Sequence, residues 1–485
     1  MKSVVRRGIA GSIADVASML VTTRLLGGLP AITRAIRLEG ATVCAAVTAS
    51  STRFGEATAI VDAEGTLSYR ELDEEVSRLA STLTGASRVA IACTDTRFFV
   101  IALAAASRAG VDAVLLGSRM GDLDRTAVIH RHEITHVLDN DTLRFAHSRP
   151  FSAHNEGRSG QVGKRRAARI IVLSSGTTGV PEPTERSPLR LGQAVTAASL
   201  IAASGLRPRH PVLLLAPLNH GHGLSLAIAS LVIGAPLVLA GGLSMDATLD
   251  LAERTEVRVI SGVPAQLLRV AESLEERPRD LRLTHVVSGS ARLPAALTER
   301  LTHHLGPVVV DFFGSTATGT VTVARARDLG TAGRPVAGVS IRIVDASGAV
   351  VPRGTEGLVL ASSPLSTSRA PSPTGDRGRI DASGRLHLTG RADSIVVSGG
   401  ENVSASEVED YLLAQPEIAD AHVFVVPDER LDAVLAARVV LGSPLPPEQL
   451  LSRITRDLGR AKTPRTLDVA NSIPRTATGK ARLNE

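Results

Sequence analysis

Short apolar runs alternate with longer amphipathic stretches along most of the chain. Residues 88–92 have the pattern of a strand, residues 98–109 that of a helix, and residues 113–116 that of the next strand. Short apolar runs are typical of buried strands, whereas apolar positions that recur every three to four residues are typical of helices. The order of strand, helix and strand therefore predicts a parallel βαβ unit.

The same rhythm returns farther along the chain. Further strand patterns, separated by helical stretches, lie at residues 212–215, 236–239, 257–260, 285–287 and 308–310. Repeated alternation of this kind favours parallel sheets that are covered by helices. We therefore expect an α/β protein whose large N-terminal domain consists of helix-flanked sheets in two successive subdomains.

The pattern restarts after residue 394 and predicts a small C-terminal domain. An apolar run at residues 395–397 precedes a turn at Gly399 and Gly400, and Ser404 and Glu407 then have capping-box spacing for a helix start. The remaining length suits a small α+β domain. The predicted divisions are an N-terminal helical segment (1–44), a large domain (45–388), a hinge (389–393) and a small domain (394–485).

Composition restricts the kinds of partner. The 485 residues are 44% hydrophobic, which is enough apolar material for more than one core. The formal net charge of +6 is modest for this length and does not indicate a nucleic-acid partner. Cys44 and Cys93 are the only cysteines, so a disulfide framework is not expected and a reducing compartment fits.

The N-terminal region has apolar residues but predicts no transmembrane segment. Asp15 and Arg24 interrupt it, and no run reaches the roughly 18 apolar residues of a membrane span. An amphipathic helix that packs on the protein or touches a membrane surface fits this pattern better. We expect a cytoplasmic enzyme.

A segment rich in glycine and hydroxyl groups follows the strand pattern at residues 169–173. It consists of Ser174, Ser175, Gly176, Thr177, Thr178 and Gly179. Backbone amides and hydroxyls beside glycines can contact phosphate oxygens, because glycine has no side chain to block the approach. A simple polar turn is the alternative. The segment is not a Walker loop, since no Gly-Lys-Ser/Thr ends it.

A second candidate for phosphate chemistry is Lys480, which ends the segment at residues 474–480. A mobile lysine can stabilise negative charge that develops during acyl or phosphoryl transfer. Together with the glycine-rich segment, this lysine resembles the adenylate-forming (ANL) superfamily of acyl-CoA synthetases, luciferases and peptide-synthetase adenylation domains. The resemblance covers nearly the whole chain and implies the ANL fold, in which the small C-terminal domain is mobile.

The resemblance also implies a reaction. ATP would activate a small-molecule carboxylic acid as acyl-AMP, and a thiol would then displace AMP. The implied cofactors are ATP and Mg²⁺, with CoA or a phosphopantetheine thiol as co-substrate, and an acyl carrier protein is a possible partner. The identity of the acid and the oligomeric state stay open.

Site residues follow from motifs that match position by position. The implied catalytic residues are Lys480, His220, in the acyl pocket, and Thr316, at the phosphates. Asp393 would be the hinge. The implied nucleotide-binding residues, besides the glycine-rich segment, are Gly289, Ser290 and Ala291 beside adenine, Phe313, Gly314 and Ser315 in the aromatic motif, Asp376 at the ribose, and Arg391 at the ribose and phosphates.

The chain departs from the family pattern at two charged positions. Glu182 stands where a lysine usually follows the glycine-rich segment, and Ala317 stands where a glutamate usually helps to hold Mg²⁺. The protein ligands of the metal are therefore unknown. The segment at residues 362–368 is also shorter and more polar than the corresponding family loop.

Two other functions remain open at this point. One is the activation of nitrite by ATP to diazotise an arylamine, which some family members perform with this architecture. The other is an adenine-nucleotide-binding protein with impaired catalysis, suggested by Glu182 and Ala317.

Overall fold

The computed structural model describes most of the chain. The described residues are 3–6, 17, 19, 25–117, 120, 122–147, 168–174, 182–186, 193–315, 317–366, 368, 370–392, 395–398, 401–428, 432–476 and 481. They fall into two compact units. The first unit is Ile9–Val287, and the second combines Met1–Gly8 with Ser288–Glu485.

Helices and strands alternate through most of the chain. The helices are α1 (Leu25–Glu39), α2 (Val43–Phe54), α3 (Tyr69–Thr82), α4 (Arg97–Ala109), α5 (Asp122–Arg131), α6 (Asn140–His147), α7 (Ala194–Ser204), α8 (Gly221–Ile233), α9 (Met245–Arg254), α10 (Pro264–Glu276), α11 (Ala295–Leu305), α12 (Ala405–Leu413) and α13 (Pro447–Leu458). The strands up to the unit boundary are β1 (Val4–Arg6), β2 (Thr58–Asp62), β3 (Gly65–Ser68), β4 (Arg88–Ile91), β5 (Asp112–Leu115), β6 (His136–Leu138), β7 (Ile170–Ser174), β8 (Glu182–Arg186), β9 (Val212–Leu214), β10 (Leu237–Leu239), β11 (Val259–Gly262) and β12 (His285–Gly289).

The second unit contains β1 and all of the remaining strands. They are β13 (Val309–Ser315), β14 (Gly319–Arg325), β15 (Arg334–Pro335), β16 (Ser340–Val344), β17 (Gly357–Ser362), β18 (Ser372–Ile380), β19 (Leu386–Arg391), β20 (Ile395–Ser398), β21 (Glu401–Ser404), β22 (Ile418–Asp428), β23 (Asp432–Leu441) and β24 (Thr466–Val469). Short 3₁₀ turns lie at Ala326–Asp328 and Arg460–Lys462.

The first unit has the predicted α/β organisation. One sheet has the order β6-β4-β5-β7-β8 and is parallel except for β8. Strands β11, β9, β10, β2 and β3 also lie side by side in that order, parallel except for β3. Every residue of β5, β9 and β10 is buried, as expected for parallel strands that are covered on both faces.

Local signals in the sequence explain where helices begin. Ser68 caps α3: its hydroxyl accepts from the backbone N–H of Glu71, whose carboxylate accepts in return from the Ser68 backbone N–H. Helix α4 begins at Arg97, whose guanidinium forms a buried ion pair with Asp62 at the end of β2. The pair fixes the start of α4 beside its neighbouring strand.

The second unit is richer in antiparallel sheet. Strands β1, β16, β17, β18 and β19 form one antiparallel sheet in that order, and β13, β14 and β15 are antiparallel neighbours. The C-terminal part has the β20–β21 hairpin and the sheet β22-β23-β24. Helices α12 and α13 cover it, and their side chains share one apolar core with β22 and β23. This region is the small α+β C-terminal domain that the sequence predicted.

Several predicted elements are confirmed almost residue for residue, including β4, α4 and β5. In the N-terminal segment the structure has strand β1 as well as helix α1, and α2 crosses residue 44. The compact units divide after Val287, so the predicted domain limits stay a prediction. Among the described helices, none is long and apolar enough to cross a membrane.

Candidate functional site

The segment that the resemblance assigns to adenine follows β12, which lies beside β13. Gly289 is buried at the end of β12, Ser290 is exposed with a φ of +70°, and Ala291 is half-buried. A positive φ is unfavourable for a residue other than glycine and marks a sharp turn. The turn exposes backbone and small side chains, a surface that a planar base can approach closely.

The end of β13 turns back tightly into β14. Phe312 is buried, whereas Phe313 on the other face is half-buried and presents part of its ring. A methyl group on Gly314 would lie 2.1 Å from the carbonyl oxygen of Gly319 on the returning strand, so only glycine fits here. The two strands therefore approach each other closely at Gly314, directly after Phe313.

A hydroxyl pair closes this hairpin. The Ser315 Oγ lies 2.9 Å from the Thr318 Oγ1, and the Thr318 hydroxyl also accepts from the Ser315 backbone N–H. Thr318, which the motif comparison did not single out, is fully buried. Thr316 lies outside the described residues, and Ala317 is exposed. Ser315 and Thr318, which flank position 316 in the sequence, are therefore joined to each other by side-chain and backbone hydrogen bonds.

Asp376 and Arg391 come together across the β18–β19 ladder. They are register partners, and the Arg391 Nη1 lies 3.5 Å from the Asp376 Oδ1. Gly375 has a φ of +82°, and a methyl group there would lie 2.7 Å from the Arg391 guanidinium. The Asp376 backbone N–H donates to the Thr374 hydroxyl. Glycine thus lets the guanidinium pack over the turn, beside a carboxylate whose two oxygens can accept from vicinal hydroxyls.

Asp311, whose carboxylate Oδ1 is buried, lies two positions before Phe313 on β13. Burial raises the pKa of Asp311 to about 7, while the Ser288 hydroxyl and the Phe312 backbone N–H act in the opposite direction. Its Oδ1 has no hydrogen-bond partner among the described residues. Because desolvation outweighs these contacts, the charged form of the carboxylate is disfavoured in the fold. The motif comparison did not single out this residue.

In the first unit, the glycine-rich segment lies between the two strands of a hairpin. Ser174 is the last residue of β7 and is the register partner of Glu182, the first residue of β8. The side chains of both lie outside the described set, as do Ser175, Gly176, Thr177, Thr178 and Gly179. The backbone therefore places Glu182 directly across from the start of this segment.

His220 lies at the end of the loop between β9 and α8 and is the N-cap residue of α8. The backbone N–H of Leu218 donates to the Asp95 carboxylate at 2.8 Å. The Asn219 side chain lies against Gly117, where a methyl group would be 3.2 Å from the amide nitrogen. Loops at the carboxyl ends of neighbouring parallel strands thus fix the His220 loop, at the edge where α/β proteins commonly bind ligands.

A second histidine, His222, lies two residues later and has a side-chain partner on a neighbouring strand. The His222 Nε2 lies 2.9 Å from the Ser261 Oγ on β11, and burial lowers the pKa of His222 to about 4. The Gln266 amide donates to the Leu215 carbonyl at 2.6 Å and holds the start of the same loop. The sequence offered only a weak signal for these contacts, a histidine beside a motif histidine, because their partners come from distant elements.

Lys480 and Asp393 lie outside the described residues, but the chain on both sides of Lys480 is described. Arg475 and Ala481 form an antiparallel bridge. The Arg475 guanidinium also pairs with the Asp420 carboxylate on β22 at 2.6 Å. These contacts attach Arg475 to the sheet of the C-terminal domain and pair it with Ala481.

The described side chains offer several contacts to a nucleotide. The Asp376–Arg391 pair and the small-residue turn at Ser290 offer an acceptor, a cation and open backbone to a nucleotide. No group of three or more His, Cys, Asp or Glu side chains that could hold a metal ion occurs among the described residues. The exposed Ala317 provides no carboxylate at the position where a glutamate usually helps to hold Mg²⁺.

Comparison with known proteins gives a consistent picture. The model of the AMP-binding enzyme family matches residues 47–369, and that of the AMP-binding enzyme C-terminal domain matches residues 407–480. A feruloyl-CoA synthase of Amycolatopsis sp is 27% identical over 87% of this chain and 94% of its own length. An indoleacetate–CoA ligase of Aromatoleum aromaticum is 32% identical over 65% of this chain and 66% of its own length.

A solved structure shares the fold. The amide bond synthetase of Marinactinospora thermotolerans superposes with a TM-score of 0.77 at 23% identity, over 90% of this chain and 98% of that one. The predicted large N-terminal and small C-terminal domains are confirmed by these matches. Since the first family model alone covers more than half of the sequence, the chain belongs to the AMP-binding enzyme family, within the adenylate-forming ANL superfamily of acyl-CoA synthetases.

Proposed function

We propose that this AMP-forming ligase adenylates an aromatic carboxylic acid with ATP and then passes the acyl group to the thiol of CoA. ATP, Mg²⁺ and CoA are the cofactors and co-substrates of such a ligase. The observation that carries the proposal is the Asp376–Arg391 pair, whose carboxylate and guanidinium lie 3.5 Å apart on adjacent strands. A largely buried acceptor beside a half-exposed cation suits a ribose that is joined to a phosphate.

In the first half-reaction, a carboxylate oxygen of the acid attacks the α-phosphorus of ATP. A new P–O bond forms, the bond to the β-phosphate bridging oxygen breaks, and pyrophosphate leaves with the electron pair. Positioning and charge neutralisation provide most of the acceleration in such a reaction. Asp376 would hold the ribose, Arg391 would face the phosphate side, and the Phe313 ring would cover the adenine.

Lys480 would meet the carboxylate and the α-phosphate in this step, with Thr316 and the residues 174–179 around the phosphates. Glu182 opposes this field, because a carboxylate replaces the expected cation at the closing pair of the hairpin. Arg391 and Lys480 must therefore supply more of the positive charge than in relatives that have a lysine at this position.

In the second half-reaction, the thiolate of CoA attacks the carbonyl carbon of acyl-AMP, and AMP leaves with the bonding electrons. The overall change converts acid, ATP and CoA into acyl-CoA, AMP and pyrophosphate. The small domain would rotate about Asp393 between the two steps and remove Lys480 from the site. The phosphopantetheine arm of an acyl carrier protein is the alternative thiol.

The substrate class is drawn from the relatives. The feruloyl-CoA synthase and the indoleacetate–CoA ligase are both named for acids that contain an aromatic ring. His220, at the start of α8, would line the pocket for this acid. We further place the enzyme in the reducing cytoplasm, where its two free, buried cysteines would stay reduced.

The proposal is tested by product analysis with Mg²⁺-ATP and CoA. Ferulate, indoleacetate and 2-succinylbenzoate form the first panel, with short-chain and long-chain fatty acids as a second. We expect stoichiometric AMP and acyl-CoA with at least one aromatic acid. AMP formed only with nitrite and an arylamine would support diazotisation instead, and ATP binding without AMP from any acid would support a nucleotide-binding protein that lacks catalysis.

A further inference from the structure

Helix α12 of the C-terminal domain carries acidic side chains with different partners. Glu407 pairs with Lys462 at 2.5 Å. Glu409 lies 2.9 Å from the His422 Nδ1 and also accepts from a backbone N–H of β22. These two acids therefore hold α12 to elements of its own domain.

Asp410 has a different orientation. Ala405, Val408 and Leu412 form the buried face of α12 within the domain core. At 100° per residue, Asp410 lies on the opposite face of the helix. It therefore lies outside the apolar core of its own domain and faces away from it.

The Asp410 carboxylate pairs with Arg292. The Arg292 Nη2 lies 2.5 Å from the Asp410 Oδ2, with 50% of the arginine side chain and 35% of the aspartate side chain exposed. Arg292 directly follows Ala291, so it is attached to the turn at Ser290 where φ is +70°. The ion pair thus joins α12 to the segment predicted to contact adenine.

The electrostatics of Asp410 favour a partner with a positive charge. Burial and the neighbouring charges of Glu409 and Glu407 raise the pKa of Asp410 to about 6, and Arg292 opposes them. Without Arg292, a partly desolvated carboxylate would lie beside two further acids. Arg292 is thus the group that holds the Asp410 face of α12 against the turn at Ser290.

We propose that Arg292 and Asp410 are a positioning pair that makes nucleotide binding depend on the placement of the C-terminal domain. The inference rests on the proposed function. While the pair is closed, α12 supports the turn at residues 289–291 and the adenine subsite keeps its shape. When the C-terminal domain moves away, the pair opens, the turn loses its support, and nucleotide binding weakens.

The first test measures the dissociation constant of ATP by calorimetry, without acid or CoA. Arg292→Gln and Asp410→Asn should each weaken binding about two- to fivefold, the range for a partly exposed ion pair. The exchanged pair, Arg292→Asp with Asp410→Arg, should restore most of the affinity, and Arg292→Lys should retain it. Glu417→Gln is the matched control, since Glu417 pairs with Arg453 within the C-terminal domain at 3.1 Å, and it should leave ATP affinity unchanged.

The second test separates positioning from general damage to the fold. In acid-dependent exchange of pyrophosphate with ATP, the single variants should raise the KM for ATP and leave the KM for the acid unchanged. Equal affinity in all variants, or failure of the exchanged pair to restore it, would overturn the positioning role while leaving the proposed function intact. A wild-type protein that binds no ATP would overturn both.

Discussion

Asp376 and Arg391 face each other across two antiparallel strands, with the carboxylate Oδ1 3.5 Å from the guanidinium Nη1. Only 14% of the aspartate side chain is exposed, compared with 49% of the arginine side chain. The acceptor is thus held firmly, while the cation reaches toward solvent. This arrangement suits a ligand whose hydroxyl groups are adjacent to a negative charge.

The pair leads to a first prediction. Asp376→Ala should raise the KM for ATP about tenfold or more, because hydrogen bonds to a charged group contribute about 1.5–3 kcal/mol each. KM values would be measured by ATP–pyrophosphate exchange at saturating acid. Glu356→Gln is the control, since Glu356 pairs with Arg377 on the same strand at 2.9 Å. An equal KM in both variants would remove Asp376 from the ribose subsite.

A second prediction concerns the histidine beside the motif histidine. Ser261→Ala should lower kcat/KM for the acid about threefold to tenfold, because a hydrogen bond that positions His222 at the start of α8 is lost. The KM for ATP should not change. Ser225→Ala, one turn along the same helix and exposed, is the matched control. Equal losses in the two serine variants would show that His222 does not need this contact.

A third prediction follows from the buried Asp311. The raised pKa, about 7, means that the folded protein binds this proton more tightly than the unfolded chain does. The contribution of Asp311 to stability is therefore greatest at low pH and is lost as the pH rises from about 4 to about 7. The free energy of unfolding of Asp311→Asn, minus that of wild type, should therefore be about 1–3 kcal/mol higher at pH 8 than at pH 4.

The Asp311 test compares thermal unfolding of wild type and variant at both pH values. The test uses the difference in stability between variant and wild type, because His222 also makes stability depend on pH. Its pKa is lowered to about 4, so its contribution to stability rises with pH, whereas that of Asp311 falls. His222 is present in both proteins, so its contribution cancels. A difference that does not vary with pH would mean that Asp311 is ionised without penalty in the folded state.

A fourth prediction concerns the hairpin that carries Phe313. Gly314→Ala should lower ATP affinity about tenfold or more, because a methyl group 2.1 Å from the Gly319 carbonyl oxygen forces the two strands apart. Gly442→Ala is the control, since the nearest atom to its methyl group would be 3.7 Å away. Calorimetric binding of ATP to both variants distinguishes a local effect from a general one. Unchanged affinity in Gly314→Ala would show that the hairpin does not shape the adenine subsite.

Local sequence predicted the regular elements well. The capping pair at Ser68 and Glu71 is present as expected, and β4, α4 and β5 follow the apolar pattern closely. Strand β1 could not be predicted, because three residues become a strand only through pairing with β16, which is remote in sequence. Long-range pairing of this kind leaves almost no local signal.

The candidate site was also predictable only in part from local sequence. Motifs identified Asp376, Arg391 and Phe313, since each lies in a recognisable local context. Asp311 looked like an ordinary strand residue, and its burial depends on neighbouring strands. The supports of the His220 loop, Asp95 among them, come from separate βα connections. The contacts that position a site are tertiary, so they become visible only in the folded chain.

The central claim is adenylation, and ATP–pyrophosphate exchange measures it most directly. The comparison uses wild type, Lys480→Ala and Lys462→Ala; Lys462 is a lysine of the same domain that pairs with Glu407. We predict exchange that depends on an aromatic acid in wild type and in Lys462→Ala, and a loss of about 100-fold or more in Lys480→Ala. Lys480→Ala should still convert supplied acyl-AMP and CoA into acyl-CoA. Full exchange in Lys480→Ala, or no acid-dependent exchange in wild type, would contradict the account.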